Sequence, residues 1–148
     1  MFASILVGTD GSDTATTAVR YAIDLARQLG AKLQIVSAYE PVSQQRLRHE
    51  SIEAPSDVQW MVNPREDVLA LLDQAAEDAR LAGVAEVDTF ARQGDAADAI
   101  IDVAEELRSD LIVVGNRGMT GAKRFLLGSV PNKVSHHAPC SVLIVRTT

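Results

Sequence analysis

Hydrophobic positions change their period several times along this chain, and each change marks an element. Ile5-Leu6-Val7 is a short unbroken apolar run of strand-forming type that ends at Gly8. Ala15, Ala18, Val19, Ala22, Ile23, Ala26 and Leu29 then recur at steps of three and four, which places them on one face of a helix. Ser12 or Asp13 suits the N-cap of that helix, and Gly30 suits its C-terminal stop. Residues 33–39, LQIVSAY, predict a second strand, ended by Pro41. Pro64, tolerated in a first helical turn, opens a helix to about Ala82, with Val68, Leu72, Ala75, Ala76 and Ala79 on its buried face and Gly83 as its stop. Residues 87–91 alternate and suit a strand at a sheet edge. Asp95 starts another helix, carrying Ile100, Val103, Ala104 and Leu107 on one face. Leu111-Ile112-Val113-Val114 is an apolar run ending at Gly115. Residues 129–137 predict a last helix and residues 142–145 a last strand.

Five strands alternating with four helices predict an α/β fold, a parallel sheet covered by helices on both faces. The unbroken runs at 5–7, 111–114 and 142–145 are expected inside the sheet, buried on both faces. A length of 148 residues suits one domain spanning the whole chain, 1–148, and neither a linker nor an internal repeat interrupts it. Residues 41–63 keep neither period and are rich in Gln, Arg, Ser and Glu. Loops of this kind usually serve as a functional lid or stay disordered. Trp60, the only tryptophan, lies near the end of that segment beside Met61 and Val62. It is expected to anchor the loop by packing rather than to stack on a ligand.

Composition narrows the functions open to such a fold. Fourteen basic against 20 acidic residues give a net charge of −6, which opposes general binding to nucleic-acid phosphates but leaves room for a small anion held by backbone amides. A single cysteine, Cys140, forms no intrachain disulfide. The first residues, MFASILVGTDGS, lack a basic lead and a long apolar run, so no signal peptide is expected. No apolar stretch approaches the roughly 20 residues of a membrane span. A cytoplasmic location without membrane contact is expected. His136 and His137, adjacent on a helix, point in different directions, and with Cys140 they match no zinc spacing. No metal site is expected from them.

Chemistry is expected beyond the carboxyl ends of the strands, where ligands of open α/β sheets sit. Two loops there have unusual sequences: Gly8-Thr9-Asp10-Gly11-Ser12, and Gly115-Asn116-Arg117-Gly118 leading to Gly128-Ser129. Gly115 can take a positive φ, and Gly118 lets the backbone approach a ligand. Gly128-Ser129 opens a helix whose free N–H groups and dipole make an anion site, to which the Ser129 hydroxyl adds a donor. Arg117, Lys123 and Arg124 add local positive charge. Each glycine alone is better explained as a turn or helix-entry residue, and Ser129 alone as a helix cap. The joint spacing is what points to a nucleotide: Gly115, two residues, Gly118, nine residues, Gly128, Ser129. Asp10 suits both a turn-organising role and a contact to ribose or base.

On these residues the chain resembles the universal stress protein family, of the adenine-nucleotide-binding kind. The likeness runs from ILVGTDGSDTATTAVRYAIDLA through SDLIVVGNRGMTGAKRFLLGSVPNKVSHHAPCSVLIVR and covers essentially the whole chain. It implies a five-stranded parallel sheet of order 3-2-1-4-5, ATP at the strand carboxyl ends, and a homodimer paired through an exposed last strand, Ser141 to Arg146. It implies that Gly8, Thr9 and Asp10 border the nucleoside and that Ala38 meets adenine through its backbone. Val114, Gly115, Arg117 and Gly118 would line ribose and phosphates, and Gly128, Ser129 and Val130 would hold phosphates at the helix start. Pro131 departs from the family pattern, in which many ATP binders carry a hydroxyl residue at this position. It lacks both hydroxyl and N–H, so one phosphate contact is lost.

Three readings follow. The first is an ATP-binding homodimeric stress regulator, with Mg or Mn alongside a triphosphate. No dedicated general base and no P-loop is evident, so any hydrolysis is expected to be slow. The second is a cyclic-AMP binder using the same pocket. SAY at 37–39 and the closing segment resemble that branch of the family, and a single cyclic phosphate asks less of the anion site. The third is a dimeric scaffold without a ligand, against which the intact glycine pattern argues.

Overall fold

The computed structural model describes residues 2–40, 64–116 and 127–147. Its elements run β1 (Ser4–Gly8), α1 (Asp13–Leu29), β2 (Lys32–Tyr39), α2 (Arg65–Leu81), β3 (Val87–Gln93), α3 (Ala96–Leu107), β4 (Leu111–Gly115), α4 (Ser129–His137) and β5 (Ser141–Val145). All strand pairs are parallel, in the order β3-β2-β1-β4-β5. Parallel neighbours need crossovers, and the helices supply them on both faces.

Alternation of side chains divides the core in two. Ile5, Val7, Leu33, Ile35 and Val113 face α1 and α2, together with Val19, Ile23, Val68 and Leu72. Leu6, Val36, Ala38, Ile112 and Val114 face α3 and α4, together with Ile100, Val103, Val130 and Val134. Ser4 and Gln34, buried between strands, satisfy each other by a 3.0 Å hydrogen bond.

Local signals set the helix ends. The Ser12 side chain caps α1 by accepting from the Ala15 N–H, and Gly30 closes the helix in the left-handed region at φ 65°. Asp95 caps α3, accepting from the Asp98 N–H at 3.0 Å. Pro64 is the N-cap of α2 rather than its first helical residue, and its carbonyl accepts the Val68 N–H. The Arg65 guanidinium lies 5.9 Å from the Tyr39 ring centroid, tying the start of α2 to the end of β2.

One expectation from the apolar pattern fails. Residues 142–145 do not lie inside the sheet: β5 is an edge strand, with Leu143 39% exposed and Val142 and Ile144 half-buried. A continuous apolar run marks burial on both faces only when neighbours flank the strand, and β5 has one neighbour. The order implied by the family resemblance already placed it there. β3, with its alternating pattern, forms the other edge as expected. Among the described residues no helix is long and apolar enough to cross a membrane.

Candidate functional site

The strand order reverses between β1 and β4, so the crevice expected of this architecture opens at their carboxyl ends. β1 delivers Gly8, Thr9 and Asp10 there, all buried. The Thr9 N–H continues the ladder to the Val36 carbonyl at 3.0 Å, which fixes the start of the loop beside β2. Asp10 Oδ1 then accepts from the Ser12 N–H at 2.9 Å and from the Ser12 hydroxyl at 2.6 Å. Gly11 sits between them at φ 83°, and its N–H donates to the Thr9 hydroxyl at 3.2 Å. The turn-organising role of Asp10 is therefore built into the structure.

Ala38, Val114 and Val130 come together in the apolar cluster beneath α3 and α4. The three residues expected at the base, ribose and phosphate thus share one apolar cluster. Gly128 is buried and Ser129 exposed. Arg117 and Gly118 lie outside the described residues, as do Lys123, Arg124, Trp60 and the rest of residues 41–63.

One glycine expectation changes, and the alternative of Ser129 as helix cap falls. Gly115 does not adopt a positive φ. Its role is space: a Cβ there would sit 3.2 Å from Thr147 Cγ2 and 3.4 Å from the Thr14 carbonyl oxygen, so α1 and the chain after β5 both press on it. Gly128, not Ser129, is the N-cap of α4, extended at φ −64° and ψ 167°, and α4 has no side-chain cap. Among the described residues the Ser129 hydroxyl makes no capping hydrogen bond.

The donor set at α4 follows from these positions. Asn132 N–H already donates to the Gly128 carbonyl at 3.0 Å. Pro131 has no N–H to give. Among the described residues, the N–H groups of Ser129 and Val130, the first two helical residues, have no backbone partner, the arrangement an anion site uses. This set suits one phosphate group. α4 is held in place from below: Lys133 Nζ reaches Asp98 at 2.8 Å and Asp95 at 3.3 Å. The hydrogen bonds to Asp98 and Asp95, in that order, raise the Lys133 ammonium pKa.

The family model for the universal stress proteins matches residues 1–146. The chain belongs to the universal stress protein family. The universal stress protein Rv1636 of Mycobacterium tuberculosis (strain ATCC 25618 / H37Rv) is 39% identical over 150 residues, covering 99% of this chain and 98% of that protein. YxiE of Bacillus subtilis (strain 168) is 34% identical over 158 residues, covering 99% and 100%. A crystal structure of a universal stress protein in complex with cyclic AMP superposes with a TM-score of 0.74 at 33% identity, over 99% of both chains.

Two features of this universal stress protein carried no warning in the sequence. Asn116, next to the first motif glycine, accepts from both the N–H and the hydroxyl of Thr147. Lys133 bridges two carboxylates on a neighbouring helix. Both are contacts between residues distant in sequence that only the sheet order brings together. Among the described residues no group of three His, Cys, Asp or Glu side chains is placed to hold a metal ion.

Proposed function

We propose that this universal stress protein is a homodimeric adenine-nucleotide-binding regulator, a single domain acting in the cytoplasm. The nucleoside lies against Gly8, Thr9, Asp10 and Ala38. Val114, Gly115, Arg117 and Gly118 line the ribose and phosphate, and Gly128, Ser129 and Val130 hold the phosphate. The observation that carries this reading is the pair of N–H groups without a backbone partner at the start of α4, among the described residues, next to an apolar cluster that Val130 shares with Ala38 and Val114. The exposed apolar edge of β5 supports pairing with a second copy, since such edges seek partners and a two-fold axis would pair like with like.

Cyclic AMP is the ligand the donor set favours. Its single cyclic phosphate carries one negative charge and suits two backbone donors, whereas Pro131 withdraws a third that a triphosphate would use. The relative solved with cyclic AMP supports the same choice. ATP, with Mg or Mn alongside it, is the second reading, favoured by the complete glycine spacing. No residue at the site is assigned a catalytic role.

Thermal unfolding of nucleotide-stripped protein tests this with ATP plus magnesium, ADP, AMP and cyclic AMP side by side. A ligand at 100 times its Kd adds about 2.7 kcal/mol of stability. A larger shift with cyclic AMP than with ATP at equal concentration is expected. A larger shift with ATP selects the second reading, and no shift with any of the four leaves only the dimeric scaffold.

A further inference from the structure

β3 is an edge strand with β2 as its one neighbour. The ends of that ladder fix which backbone groups are used: Leu33 N–H donates to the Glu86 carbonyl and Gly94 N–H to the Tyr39 carbonyl, both at 2.9 Å. Such groups alternate along a strand, so Asp88, Phe90 and Arg92 turn their N–H and C=O groups to β2. Val87, Thr89, Ala91 and Gln93 turn theirs outward. The Arg80 side chain reaches the Val87 carbonyl at 3.5 Å. Among the described residues the outward groups of Thr89 and Ala91 have no partner, and both residues are half-buried.

The side chains along this edge are arranged symmetrically in charge. Asp88, Phe90 and Arg92 lie on the α3 face of the sheet. Asp88 is exposed and makes no ion pair or hydrogen bond among the described residues. Glu106 of α3 holds Arg92 by hydrogen bonds of 2.8 and 3.0 Å, which leaves the rest of its five N–H donors uncommitted. Charges on a sheet edge ordinarily keep it from pairing. Here they have opposite signs and stand at equal distances from Phe90. A second copy of β3, laid antiparallel about a two-fold axis at Phe90, sets Asp88 opposite the partner's Arg92 and Thr89 opposite the partner's Ala91. The outward groups of Thr89 and Ala91 then bond across the axis. The charged pairs fall at the non-hydrogen-bonded positions, where side chains approach most closely. Sliding the register by two residues loses both charge pairs, and sliding it by four sets like charges opposite each other. The edge thus complements itself, and in one register.

We propose that β3 is a second self-association edge, pairing antiparallel with β3 of another copy about Phe90. It lies beyond the nucleotide reading and depends neither on it nor on pairing through β5.

Sedimentation equilibrium of the full chain over a range of concentrations is the test. Thr89→Pro removes one outward N–H and keeps the ladder to β2, since proline is accepted on an edge strand where its nitrogen faces solvent. Asp88→Lys sets like charges opposite each other at an exposed position. Each variant should lose one doubling of the mass that the wild type reaches at the highest concentration, whether or not β5 pairs. The melting temperature of dilute Asp88→Lys should match that of the wild type. In a Cys140→Ser background, Phe90→Cys should form an intermolecular disulfide under mild oxidation, its counterpart lying about 4.5 Å away between Cα atoms. Asp88→Cys, about 13 Å from its own counterpart, should not. Wild-type mass in either variant at every concentration, no disulfide in Phe90→Cys, or one formed equally fast in Asp88→Cys would each overturn the proposal.

Discussion

Asn116 holds Thr147 by two hydrogen bonds, its Oδ1 accepting from the Thr147 N–H at 3.1 Å and from the Thr147 hydroxyl at 2.8 Å. The same threonine rests its methyl against Gly115. The chain leaving β5 is thus fastened to the root of the glycine loop leaving β4, so the proposed phosphate loop and the proposed dimer edge share one anchor.

That anchor has a measurable strength. Asn116→Ala leaves both Thr147 donors without this acceptor, and a loss of about 1–2 kcal/mol in urea-unfolding stability is expected. Thr147→Val removes only the hydroxyl bond and should cost less. In the double variant the two losses should fall short of their sum, because they break the same contact.

Space at Gly115 separates a packing role from a conformational one. Gly115→Ala should destabilise by about 1–3 kcal/mol through overpacking against Thr147 Cγ2. Thr147→Ser removes that methyl and keeps the hydroxyl bonded to Asn116. The pair Gly115→Ala with Thr147→Ser should therefore regain part of the loss. Absence of any regain would place the clash at the Thr14 carbonyl instead.

Arg108 closes α3 in the left-handed region at φ 54°, the only non-glycine residue with positive φ among those described. Holding an L-residue there costs about 1–2 kcal/mol, partly offset in a glycine variant by the greater freedom of the unfolded chain. Arg108→Gly should stabilise the protein by about 0.5–1 kcal/mol, read as a higher urea midpoint at unchanged slope.

Cys140 should be a slow nucleophile. Burial, and then the Asp110 charge, raise its thiol above the ordinary value. Alkylation by iodoacetamide should follow a pH curve displaced upward from the usual thiol value of about 8.5, and unfolding should erase the displacement. The raised folded pKa means that the folded state keeps a proton the unfolded state releases. Stability should therefore fall as pH rises from the unfolded thiol value through the folded one, and Cys140→Ser should flatten that decline.

Sequence pattern reads best where one element explains itself. Ser12, Gly30 and Asp95 announced their helix ends because a cap is a local interaction. The apolar run of β5 was misleading on its own, since burial of a strand depends on neighbours that its own residues do not name. Family resemblance supplied that order. Gly115 was legible as a special position, but the reason, two chain segments pressing on it, belongs to tertiary packing. Arg108 gave no signal at all, because the left-handed turn there lacks the glycine that usually marks one.

Calorimetric titration of wild type and Ser129→Pro with cyclic AMP and with ATP tests the nucleotide site most directly. Ser129 is the first helical residue of α4, where proline is well accepted, and Gly128 before it is already extended, as a residue preceding proline must be. The substitution removes one N–H and the hydroxyl from the proposed phosphate cradle without disturbing the helix. The account predicts one site per chain in the wild type, with affinity lowered about ten- to a hundredfold in Ser129→Pro at an unchanged or higher melting temperature. Equal affinity in the variant, or no binding heat with either nucleotide, would contradict it.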